Sequence, residues 1–129
     1  MPTKQTKGQI EADISKAVVK FERDHMGRGP HEVRSHIVQD MILIRLKGVL
    51  TQAEKQLVKS EGAELLKQVR TKLLEHSSDR LKEVVTGLTG CHVVSMHSDL
   101  STRTEERVIL FVLDRNLEDR LRQELSPSI

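Results

Sequence analysis

Aromatic side chains are almost missing from this chain: Phe21 and Phe111 are the only two, and Trp and Tyr are absent. Base-stacking platforms rely on aromatic faces, so nucleic acid is not expected as a partner. The core falls to Leu, Val and Ile. Cysteine is equally scarce. Cys91 stands alone, which rules out an internal disulfide and fits a reducing compartment. Long apolar runs are lacking too: the longest, 41–44 and 108–113, fall far short of the ~20 residues of a membrane helix, so direct membrane insertion is not expected. Neither sign of charge dominates. Twenty-one Lys and Arg against nineteen Asp and Glu leave a net charge of +2, which is no polyanion-binding footprint. The polar start, residues 1–7, leads into no apolar signal core, so the expected compartment is the cytoplasm.

What remains is enough for one domain over residues 1–129, with loose ends at 1–6 and 126–129. Thr6-Lys7-Gly8-Gln9 has the form of a capping box, and Ile10, Ile14, Ala17, Val18 and Phe21 follow helical spacing, which predicts a helix over 7–25. Gly27 to Pro30 stops it. Residues 31–38 alternate, with Val33 and Ile37 on one side and Glu32, Arg34 and His36 on the other. Gln39-Asp40 then reads as a two-residue turn into a strand over 41–48, whose continuous apolar run marks an interior strand. A second capping box, Thr51 with Glu54, opens a helical region to about residue 88, interrupted near 60–62 and again at 76–79. Its stripe of Leu65, Leu66, Val69, Leu73, Leu81, Val84, Val85 and Leu88 is assigned to the core. Lys67, Arg70, Lys72, Arg80 and Lys82 are assigned to a solvated face. Strands over 91–98 and 106–113 follow, joined by a polar hairpin loop, 99–105. Leu117, Leu121 and Leu125 mark a last helix, closed by Ser126-Pro127.

The order α-β-β-α-α-β-β-α predicts an α+β fold: a four-stranded, mainly antiparallel sheet with helices packed on one face. Two strands are apolar on both sides while helices cover one, so a homodimer is expected.

Few residues carry chemistry. In the Gly27-Arg28-Gly29 loop, two glycines free the backbone amides and Arg28 adds a planar five-donor head, an arrangement suited to a small anion or nucleotide. Against it, the loop follows a helix C-terminus, whose dipole repels anions. Ser95, His97, Asp99 and Ser101 share parity on an extended chain and Thr102 follows them; His97, Asp99, Ser101 and Thr102 join Gly27, Arg28 and Gly29 as candidate ligand residues. His97 with Asp99 is the one acid/base pair in view, but no nucleophile-elbow glycines flank either serine. The bland alternative is a solvated strand face, with Val94, Met96 and Leu100 turned to the core. His25, His31, His36, His76, His92 and His97 show no metal-ligand spacing, and no cofactor is expected. Gly87-Leu88-Thr89-Gly90 spells G-x-x-G but joins a helix to a strand and has no basic x position, so helix capping explains it.

With these residues in view, the chain resembles a small bacterial family labelled MpsC-like, after a sodium-translocating, membrane-potential-generating system. The likeness spans roughly residues 4–114. It rests on Lys7 to Glu11, on Phe21-Glu22 followed by Met26 to Pro30, and on Leu46 to Thr51 with Glu54. His97 to Thr102 and Glu106-Arg107-Val108 complete it. One departure stands out: Glu105 occupies a position where the family pattern leads us to expect Gly. The resemblance implies an accessory role in ion or bicarbonate transport, as a soluble partner of a membrane transporter subunit at the inner face of the membrane. It brings no catalytic residues, so the chain is expected not to be an enzyme.

Overall fold

A computed structural model describes residues 5–125; most of the expected loose segments, and the closing Ser126-Pro127, lie outside them. Helix α1, Lys7–Met26, opens on the predicted capping box: Thr6 Oγ1 accepts from the Gln9 amide while Gln9 Oε1 accepts from the Thr6 amide. It closes on Gly27, whose φ of 82° is the left-handed C-cap expected there.

Strands β1, Glu32–Val38, and β2, Met41–Lys47, form the first hairpin around the two-residue turn Gln39-Asp40, with Gln39 at a φ of 57°. The helical connection runs as α2, Gln52–Leu57, then a π-helical turn Val58–Gly62, then α3, Ala63–His76, and α4, Ser78–Thr89. Both expected interruptions are present. Glu61 adopts a φ of 68° inside the first, and Ser77 separates α3 from α4 at the second. Strands β3, Val93–Ser101, and β4, Glu106–Leu113, make the second hairpin, and α5, Leu117–Leu125, follows.

All four strands form one antiparallel sheet in the order β1-β2-β4-β3, so the two strands apolar on both sides, β2 and β4, are the central ones. Alternation along β4 is strict: Arg107, Ile109, Phe111 and Leu113 are buried, while the residues between them are half-exposed. The buried side joins Ile37, Ile42, Ile44 and Leu46 to Ile14 and Val18 of α1, Leu66 and Leu74 of α3, Leu81 and Val85 of α4, and Leu117 of α5. Every helix that contributes to the core therefore lies on this one side. The α+β prediction holds in element order, pairing and layering.

The bounds of one strand and the orientation of two faces differ from expectation. Strand β3 continues to Ser101, so Asp99 and Ser101 lie in the strand and the hairpin loop shortens to 102–105. A bulge between Val93 and Ser95 breaks the alternation, and Val94, expected in the core, is 65% exposed. On α3 the expected core stripe splits in two. Leu66, Arg70 and Leu74 turn inward, while Leu65, Val69 and Leu73 are 56%, 46% and 43% exposed.

Candidate functional site

Three loops meet at one end of the sheet. Arg28 Nη1 donates to the Leu50 carbonyl at 2.8 Å, and its Nη2 lies 2.9 Å from His31 Nε2. The His31 amide donates to the Lys47 carbonyl, and the amides of Gly48 and Val49 both donate to the Glu105 carbonyl at 3.1 and 3.2 Å. Gly48 is required here: its φ is 68°, and a Cβ would lie 2.0 Å from the His31 ring. Glu105 also adopts a left-handed φ, 59°, which explains why glycine suits that position, and its carboxylate pairs with Lys55 at 3.3 Å. Leu50, Lys55, Val58, Lys59, Thr102 and Glu105 line an open cleft of about 290 Å³ beside this junction.

Charges are buried behind the loops. Glu22, Arg70 and Arg107 are 1%, 3% and 2% exposed. Arg70 donates through Nε to Glu54 Oε2 at 2.7 Å and through Nη2 to the Val49 carbonyl at 2.9 Å. Arg107 Nη1 faces Glu22 Oε1 at 3.9 Å, too far for a hydrogen bond, and each of these two atoms lacks a protein hydrogen-bond partner. Burial pushes the Glu22 carboxyl above its ordinary range, against the opposing pull of Arg107 and Arg70. Burial also raises the Glu54 carboxyl, but hydrogen bonds from Arg70 and Thr51 outweigh it and the net shift is downward. Desolvation lowers the Arg107 guanidinium, opposed by Glu22.

None of Glu22, Arg70 and Arg107 was among the candidate site residues read from the sequence, although the family resemblance includes Glu22 and Arg107. Arg70 in particular, assigned to a solvated face, is buried, because positions 66, 70 and 74 of α3 face inward. The signal was parity: Arg107 alternates in phase with Ile109 and Phe111, and Glu22 stands four residues after Val18. Several residues that carry the family resemblance converge here: Glu22, Arg28, Val49, Leu50, Glu54 and Arg107.

The other candidates sit on the uncovered side of the sheet. His97 pairs across from Leu110, and Asp99 across from Val108. His97 Nε2 lies 3.1 Å from Ser95 Oγ, Asp99 pairs with Lys67 at 3.5 Å, and Ser101 Oγ accepts from the Thr104 amide. His97 and Asp99 thus engage different partners. Of the seven candidate ligand residues, Thr102 alone lines the cleft, and Arg28 approaches it through Leu50. Gly27, Gly29, His97, Asp99 and Ser101 are not brought to it. Among the described residues no three His, Cys, Asp or Glu side chains cluster as a metal site, and all six histidines are exposed.

The uncovered side is apolar at its centre. Met41, Leu43, Val108, Leu110 and Val112 are half-buried, with Val38 exposed at the edge strand beside Met41. No helix among the described residues is long and apolar enough to cross a membrane. Residues 6–115 match the family described as the Na+-translocating membrane potential-generating system, MpsC. The chain belongs to the MpsC family. It is 44% identical over 123 residues to the uncharacterized protein YbcI of Bacillus subtilis, across 95% of this chain and 99% of YbcI. It is 26% identical over 110 residues to the uncharacterized protein YrhF of the same organism, across 84% of this chain and 90% of YrhF. No solved structure matches this MpsC-family chain.

Proposed function

We propose that this MpsC-family chain is a soluble, cytoplasmic accessory or regulatory partner of a bacterial membrane ion or bicarbonate transport system, acting by docking rather than by catalysis. The family description supplies the association with a membrane-potential system. The observation that carries the docking reading is the α3 stripe. Leu65, Val69 and Leu73 recur at four-residue steps and stand exposed, where a core helix would have buried them. Gln68 and Lys72 flank the stripe and are exposed as well. An apolar helix face of this kind suits a helical cytoplasmic segment of a partner, which supplies its own apolar face in return.

The test is capture from the native host after gentle crosslinking and membrane solubilisation, with crosslinked peptides mapped. The expected result is a transport subunit joined to α3, lost in the Leu65→Ser, Val69→Ser double variant. Recovery of the chain alone, or capture indifferent to those substitutions, would refute the proposal.

A second reading, a small-anion or nucleotide sensor using the Gly27-Arg28-Gly29 loop, draws support from Lys55, Lys59 and Thr102 on the adjoining cleft. It requires Arg28 to exchange the Leu50 carbonyl for a ligand. A melting screen with phosphate, bicarbonate and nucleotides addresses it. A ligand-induced rise abolished by Arg28→Ala supports the sensor, and a rise that survives removes the loop as its site.

A further inference from the structure

The uncovered sheet face carries a pattern beyond its apolar content. Outward residues fall into four rows across β1, β2, β4 and β3. The first row is Val38, Met41, Val112 and Ser95. The second is His36, Leu43, Leu110 and His97. Arg34, Arg45, Val108 and Asp99 form the third, and Glu32, Lys47, Glu106 and Ser101 the fourth. Apolar side chains thus fill the two central strands in one half, with Val38, Ser95 and two histidines at the edges, charges collect in the other half, and the two edge strands carry opposite charges in the third row.

We infer that this face is the interface of a homodimer, in which two copies stack sheet to sheet about a two-fold axis parallel to the strands. Such an axis exchanges left and right but keeps each row opposite itself. Leu43 then meets the second copy's Leu110, and Met41 meets the second copy's Val112. Arg34 faces the second copy's Asp99 and Lys47 faces its Glu106, each pairing occurring twice by symmetry. An axis perpendicular to the strands through the centre of the face would instead lay the apolar first row on the charged fourth. Shifted to lie between the first two rows, it would leave the other half of the face unused. The self-complementary charge pattern therefore selects both the occupant and the axis.

The geometry tolerates sheet twist. Aligned sheets cross at about 30°, which displaces edge strands ~7 Å from the axis by about 3–4 Å, within reach of an arginine side chain. Arg34 and Asp99 have side chains that are 68% and 83% exposed, and each holds one local ion pair, to Glu32 and Lys67. From strand and residue spacings the face measures about 20 by 25 Å, so two copies together cover on the order of 1,000 Å². That is the low end of specific interfaces, consistent with a dimer whose dissociation constant is on the order of micromolar.

Sedimentation velocity of the full chain over a concentration series tests the inference. The expected result is a monomer–dimer equilibrium in the wild type. Arg34→Asp alone places two acidic groups opposite each other and Asp99→Arg alone two basic groups, so each should dissociate about tenfold more readily. Mixed at equal concentration, the two variants restore both pairs in a heterodimer and should regain wild-type association. Leu110→Glu should be monomeric, with circular dichroism melting showing that each variant is folded. A wild type that stays monomeric at about 100 μM, two orders of magnitude above such a dissociation constant, overturns the inference. So does a mixture that fails to regain association. The α3 variants should dimerise normally, so the failure of the transport-partner reading and the failure of this one are distinguishable.

Discussion

Replacing the buried Glu22–Arg107 pair should show that each charge is retained chiefly because the other is present. Two unit charges 3.9 Å apart attract by about 4 kcal/mol at an effective dielectric of about 20. Desolvation costs several kcal/mol per ion, and the pair lacks the close hydrogen bonds that would recover it. Attraction therefore offsets only part of the combined desolvation cost of the two ions. Removing one partner keeps the desolvation cost of the other and forfeits the attraction. Arg107→Met and Glu22→Leu should therefore each cost about 3–5 kcal/mol, a large share of the ~5–15 kcal/mol that stabilises a domain. The double variant should cost under about 2 kcal/mol, because two apolar side chains of similar volume then take the place of two buried charges. Urea unfolding followed by circular dichroism, run as a double-mutant cycle, measures this directly. A coupling of at least about 2 kcal/mol is expected. Additive losses would refute the reasoning and mean that each side chain is held by something other than its partner.

The same pair sets a pH dependence. Glu22 titrates higher in the folded chain than its ordinary value of 4.5, so folding favours its protonated form. Its contribution is fully present below 4.5 and is lost as pH rises through the raised folded value. Glu54, shifted downward, acts in the opposite sense: its contribution is present above 4.5 and is lost as pH falls through the lowered value. Subtracting the stability profile of Glu22→Gln from that of the wild type should isolate a difference that declines above pH 4.5; a flat difference would contradict the burial argument. Glu105→Gly should stabilise the hairpin by about 1 kcal/mol, relief of the left-handed backbone outweighing the few tenths lost with the Lys55 pair. An unchanged or lower urea midpoint would count against it. Gly48→Ala should cost more than about 2 kcal/mol, combining a φ of 68° with a collision against the His31 ring. His31→Ala in that background should recover only part of the loss, since the backbone strain remains.

The capping boxes at Thr6 and Thr51 were legible because they are local. Four residues contain both hydrogen-bonding partners, and no distant contact alters that chemistry. The interior position of β2 and β4 was legible for a related reason: a strand with a long apolar run facing both sides is poorly suited to an edge. Parity also placed Ser95, His97, Asp99 and Ser101 on one face, although the strand runs three residues past its predicted end. The family resemblance marked Glu22, Glu54 and Arg107, yet nothing local to any of them says that they meet.

Tertiary structure decided what surrounds these residues. The α3 sequence holds two interleaved stripes, Leu65, Val69, Leu73 and Leu66, Arg70, Leu74, one residue and therefore about 100° apart on the helix. Apolar periodicity alone favours burying the all-apolar stripe. The chain does the opposite: α3 follows the turn at Ser60 and Glu61 in a rotation at which Arg70 reaches Glu54 and the Val49 carbonyl. The bulge beside Val94 redirects that side chain in the same non-local way. Spacing determined which residues share a face. Which face turned inward depended on polar partners distant in sequence, the Arg70–Glu54 hydrogen bonds and the Glu22–Arg107 ion pair, and that selection is made only when the chain closes on itself.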